Sequence, residues 1–128
     1  MSQGSILLVE DDEALRNMYQ HILTRKGFEV DLAVDGEEGL AKAQKGGYAM
    51  ILLDLLMPKL DGVGVLRALK TVPPQKKNGP VLLLSNAQFD DLAKDATELG
   101  ASGVLLKADL LPADLVKAVQ NHISQVKV

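Results

Sequence analysis

Short apolar runs and helical stripes alternate along this chain, and that alternation predicts its elements. Four runs are uninterrupted: Ile6 to Val9, Met50 to Leu53, Val81 to Leu84 and Val104 to Leu106. Strands that are apolar at every residue belong to parallel sheets covered by helices on both faces. A fifth segment, Phe28 to Val34, differs. There Phe28, Val30, Leu32 and Val34 alternate with Glu29, Asp31 and Ala33. A period of two predicts a strand with one less protected face, as at a sheet edge.

Between these segments the period becomes helical. Leu15, Met18, Tyr19, Ile22 and Leu23 form one stripe, with Gly27 as its stop. Asp35 with Glu38 three residues on reads as a capping box for a second helix carrying Leu40 and Ala43. Val65, Leu66 and Leu69 mark a third helix. Phe89, Leu92, Ala93, Ala96 and Leu99 mark a fourth, closed by Gly100. Pro112 suits the first turn of a fifth, whose Leu115, Val116, Val119 and Ile123 face inward. Strand and helix thus alternate five times. The pattern predicts a doubly wound (βα)5 α/β fold with right-handed crossovers. Its parallel sheet takes the flavodoxin-like order 2-1-3-4-5, an order that follows from the class of fold rather than from single residues.

Composition narrows the functions available. The 128 residues suit one domain, with an ordered core over about residues 5–125. No cysteine is present, which excludes disulfides and thiolate metal sites and fits a reducing, cytoplasmic setting. No apolar run approaches the length of a membrane span. The net charge is -3, the basic residues are scattered, and two Tyr, two Phe and no Trp offer little surface for stacking bases. Direct nucleic-acid binding is therefore not expected.

In open α/β sheets, ligands bind beyond the carboxyl ends of the strands. Glu10, Asp11 and Asp12 follow the first run, Asp54 closes the third strand, Ser85 the fourth, and Lys107 the fifth. Crowded carboxylates raise one another's pKa unless positive charge joins them. Lys107 supplies one charge. An all-oxygen donor set without nearby His or Cys favours Mg²⁺ as the remainder. A carboxylate beside Mg²⁺ and an ammonium is equipped to attack a phosphoryl donor and form an acyl phosphate. Read singly, each residue has a plainer role. Asp11 and Asp12 can cap a helix, Ser85 can close a turn, and Lys107 can protect an edge strand. Asp54 is harder to dismiss, since an acid directly after four apolar residues is costly without a partner. His21 and His122 lie on helices, far in sequence from these acids.

The stretch VEDDEALR, the apolar run into Asp54 followed by LLMPKLDG, the segment LLLSNA and the final LLK resemble the receiver domains of two-component response regulators, of the CheY-like type. The resemblance runs from about Ser5 to the last helix. It implies phosphorylation of Asp54 and Mg²⁺ binding by Asp11, Asp12, Asp54 and the Leu56 carbonyl. It further implies that Ser85 is the switch hydroxyl and that Lys107 contacts the phosphoryl group. Leu56 and Ala87 would flank the phosphorylation site. The implied donor is a sensor histidine kinase or a histidine phosphotransfer protein. The implied output is a downstream protein target, with room for a phosphorylation-dependent dimer.

Three positions depart from the common pattern of the family. Val104 stands where many relatives carry an aromatic residue, Asn86 where a small residue is usual, and Ala108 where a proline with a cis bond is usual. A trans bond after Lys107 is the expectation, because a non-proline cis bond costs roughly 3–4 kcal/mol. Two rival functions remain. A receiver that is not phosphorylated and acts as a protein-interaction module would usually lack Asp54 or Lys107. A Mg²⁺-dependent aspartyl phosphatase would need an acid at position 56, where Leu56 stands. A conventional enzyme is not expected.

Overall fold

In a computed structural model, which describes residues 4–86 and 91–126, each apolar run becomes one strand of a parallel sheet. The strands are β1 (Ser5–Val9), β2 (Glu29–Ala33), β3 (Met50–Asp54), β4 (Val81–Ser85) and β5 (Gly103–Leu106). The helices are α1 (Glu13–Arg25), α2 (Gly36–Lys45), α3 (Gly62–Thr71), α4 (Asp91–Glu98) and α5 (Pro112–Val126). A short 3-10 turn spans Lys107–Asp109. The sheet order is β2-β1-β3-β4-β5, every pairing is parallel, and the fold is the flavodoxin-like one expected.

The period-two geometry of a strand divides the core into two layers. Leu7, Val9, Ile51, Leu53 and Leu83 face Ala43 of α2, Val65 and Leu66 of α3, and Ala93 and Ala96 of α4. Ile6, Leu8, Met50, Leu52, Leu82 and Leu84 face Tyr19 and Leu23 of α1 and Leu115, Val119 and Ile123 of α5. Strands covered on both sides must be apolar throughout, which is why β1, β3 and β4 read as unbroken runs. β2 lies at one edge, as its period of two predicts, but its burial does not alternate, for Ala33 is fully buried and Val34 is 47% exposed. β5 lies at the other edge. There the unbroken run is a poorer guide, and Val104 is 36% exposed.

Local signals set most boundaries. Gly27 and Gly100 follow α1 and α4 with φ of 95° and 111°, the left-handed geometry that glycine supplies at helix ends. Asp35 accepts the Glu38 N–H at 2.8 Å, as a capping box requires. The return limb differs from the expected box, for Glu38 Oε1 accepts from Val34 N–H at 2.7 Å rather than from the cap residue. Met18, expected in the buried stripe of α1, is 42% exposed. A one-sided helix buries an arc, and Tyr19 and Leu23 occupy its centre. Phe89, expected in α4, and Ala87 lie outside the described residues.

Candidate functional site

The site forms where β1, β3, β4 and β5 end on the same rim. Asp54 is the last residue of β3 and is 3% exposed. It pairs in register with Leu84, one residue before Ser85, and Ser85 pairs with Leu106, one residue before Lys107. The sheet thus brings Asp54, Ser85 and Lys107 to adjacent strand ends from distant parts of the chain. The turn after Asp54 is fixed by Leu55 N–H donating to Leu84 O at 3.1 Å and Gly62 N–H donating to Leu55 O at 3.0 Å.

One ammonium joins two carboxylates. Lys107 Nζ donates to Asp54 Oδ2 at 2.8 Å and lies 2.8 Å from Glu10 Oε1. Glu10 is fully buried. Its Oε2 accepts the Asp12 N–H at 3.2 Å, whereas Oε1 has the ionic contact but no hydrogen bond of acceptable geometry. Burial, followed by the neighbouring Asp54 carboxylate, pushes Glu10 up to about 7, and Lys107 opposes the rise. For Lys107 burial favours the neutral amine, but the hydrogen bond to Asp54 and the attraction of the Asp54 and Glu10 carboxylates outweigh it and the net shift is upward. Tyr19, buried beneath the cluster, is raised by desolvation first and by the Glu10 charge second.

Carboxylate oxygens of Glu10, Asp11 and Asp54 lie within 4.8 Å of one another, with Asp11 exposed at the mouth and the other two buried. An all-oxygen donor set suits a hard cation such as Mg²⁺. Glu10 Oε1, buried and without a hydrogen bond, is the kind of atom a cation or its water satisfies. The residues present therefore fit the ion.

Asp12 is placed differently from the expectation that it acts beside Asp11. It is the N-cap of α1, its Oδ1 accepting the Leu15 N–H at 3.0 Å, and Glu10 takes the place beside Asp11. A signal for this was present. The stripe beginning at Leu15 starts the helix just after Asp12, and a cap commits one carboxylate oxygen to the backbone. Leu56 is 52% exposed, and its N–H donates to Asp54 Oδ1 at 3.3 Å. Asn86 and Ala108 are exposed, and no cis peptide follows Lys107. His21 is exposed and His122 Nδ1 lies 2.8 Å from Ala118 O, so neither belongs to the acidic group.

Comparison with known proteins adds a family and several relatives. Residues 6–120 match the family model described as the response regulator receiver domain. The chain is 34% identical over 125 residues to the chemotaxis protein CheY of Treponema pallidum, covering 95% of this chain and 82% of that protein. It is 38% identical over 104 residues to the alkaline phosphatase synthesis transcriptional regulatory protein PhoP of Bacillus subtilis, covering 80% of this chain and 41% of that one. Of three Bacillus subtilis transcriptional regulators that it matches, PhoP among them, it spans between 35% and 46% of the length. Among solved structures, the receiver domain of the sensor histidine kinase PA1611 from Pseudomonas aeruginosa, with magnesium in its active-site cleft, superimposes with a TM-score of 0.80. That match has 25% identity and covers 94% of this chain and 98% of the other. Among the described residues, no helix is long and apolar enough to cross a membrane.

Proposed function

The chain belongs to the family of response regulator receiver domains, signalling modules of two-component systems, and on that premise we propose that it accepts a phosphoryl group on Asp54. The observation that carries the reading is the Lys107 ammonium set between Glu10 and Asp54, beside a third carboxylate at the mouth. A buried lysine of structural purpose needs one acid. Two acids and a third within reach leave excess negative charge, which is what a cation site holds in reserve.

Asp54 supplies the nucleophile. One carboxylate oxygen forms a bond to phosphorus as the phosphorus–nitrogen bond of a phosphohistidine breaks, and the imidazole departs with the electron pair. Lys107 stays protonated and faces the charge that develops on the phosphoryl oxygens. Glu10, Asp11, Asp54 and the Leu56 carbonyl would hold Mg²⁺, with Asp12 serving the helix. Bound there, the ion supplies Lewis-acid neutralisation of the phosphoryl oxygens. Ser85, at the neighbouring strand end, would donate a hydrogen bond to one of those oxygens. The added phosphoryl group carries roughly -1.5 to -2 charge units, enough to bias two arrangements of the face formed by α4, β5 and α5.

The donor is then a sensor histidine kinase or histidine phosphotransfer protein, and the output is a protein target in the cytoplasm, with a phosphorylation-dependent dimer as one form of readout. Incubation with acetyl phosphate and Mg²⁺ tests the acceptor. Intact mass is expected to rise by one phosphoryl group in the wild type and to stay unchanged in Asp54→Ala. A wild type that neither gains mass nor binds beryllofluoride would mark an interaction module that is not phosphorylated.

A further inference from the structure

Arg16 has no part in the chemistry above, yet it reaches into the loop that carries two of the acids. From the first turn of α1 its Nη1 donates to the carbonyl of Glu10 at 3.0 Å and to that of Asp11 at 3.3 Å. These carbonyls fall in a gap. The last sheet bond on this side is Glu10 N–H to Ala33 O at 3.1 Å, and the first helical bond is Arg16 N–H to Asp12 O at 2.8 Å. Peptide oxygens between strand and helix need donors from elsewhere, and one guanidinium nitrogen serves both. The same turn sends Glu10 inward to Lys107 and leaves Asp11 exposed, with their carboxylate oxygens still within 4.8 Å.

Charge alone does not account for this arrangement. Among the described residues no ion pair joins Arg16 to a carboxylate, while Glu10 and Asp54 both meet Lys107. A cation near a divalent-metal site also repels the metal, so on Coulomb grounds its removal strengthens metal binding. A group that holds ligand-bearing backbone acts with the opposite sign. Its removal loosens the ligands and weakens binding.

We infer that Arg16 is a positioning residue for the cation site, setting the separation of the Glu10 and Asp11 carboxylates by tying their backbone to α1. The inference rests on reading Glu10, Asp11 and Asp54 as a Mg²⁺ site. Calorimetric Mg²⁺ titration of the full chain, wild type against Arg16→Ala, tests it, with amide hydrogen exchange at Asp12 as a metal-free readout. Arg16→Ala is expected to weaken Mg²⁺ binding about 10-fold or more, and to speed exchange at Asp12. Unchanged or tighter binding overturns the inference. Arg16→Met keeps the aliphatic stem and loses every donor, so it decides the matter if the alanine variant does not fold. Weakened binding supports positioning, and wild-type binding overturns it. A wild type that binds no Mg²⁺ fails the metal reading itself, a result visible before any variant is made.

Discussion

The Lys107 ammonium lies 2.8 Å from the Asp54 carboxylate across 53 residues of sequence, in a pocket where Glu10 is the second acid. Lys107→Ala leaves two buried carboxylates without a countercharge. Loss of one partner of a buried pair costs about 3 kcal/mol or more. Urea unfolding is expected to show a loss of that order, and acetyl phosphate to add no mass. A stability equal to the wild type would mean that water already screens the cluster.

Asp11 and Asp12 are adjacent in sequence but separate in role, and substitution should divide them. Asp12→Ala removes the α1 cap and should cost about 1 kcal/mol, with Mg²⁺ affinity changed little. Asp11→Ala removes the exposed carboxylate of the cluster, and its main effect should be on Mg²⁺ binding rather than on stability. Paired denaturation and calorimetry check both. The reverse assignment of effects would return Asp12 to the metal.

Gly36 opens α2 against the loop that follows β3. A Cβ placed there would stand 1.7 Å from the Leu60 carbonyl oxygen. Backbone cannot yield as a flexible side chain can, so Gly36→Ala is expected to destabilise by about 2–3 kcal/mol through overpacking. Thermal unfolding measures it.

Away from the site, Asp31 accepts from Tyr48 Oη at 2.6 Å and from Lys42 Nζ at 2.9 Å. Burial raises its pKa, but the hydrogen bonds from Tyr48 and Lys42 outweigh that and the net value falls below 3.8. A depressed carboxylate stabilises the fold above its unfolded pKa, and the contribution is lost as pH falls through the folded value. The stability gap between wild type and Asp31→Asn is therefore expected to be full near neutrality and to close below pH 3.8. The carboxylate is partly exposed, so salt should narrow the gap at neutral pH. A gap that widens on acidification would contradict the sign.

Much of this was legible in the sequence because a doubly covered strand has to be apolar throughout. A polar residue ending such a run is therefore conspicuous. Asp54 after MILL and Lys107 after VLL announced themselves in that way. Glu10 did not, since four acids in a row, Glu10 to Glu13, give no clue to which points inward until the helix start is fixed at Asp12. Arg16 was hidden for another reason. Its partners are carbonyls, which every residue has, so no residue pattern marks them. The close approach of Gly36 to Leu60 is a tertiary contact between the start of α2 and the loop after β3 and has no local signature. The run Val104 to Leu106 gave no sign of Val104's exposure, because three apolar residues look the same at an edge as in the centre of a sheet.

Because Glu10, Asp54 and Lys107 stand at the carboxyl ends of β1, β3 and β5, the pocket exists only once the whole sheet has closed. A denatured chain scatters these groups and has little hold on a divalent ion. Any cation captured by the native form therefore also tightens its folding equilibrium, by an amount set by concentration over dissociation constant. Magnesium availability would then govern how long the molecule survives as well as how it signals, and a melting curve becomes a gauge of occupancy.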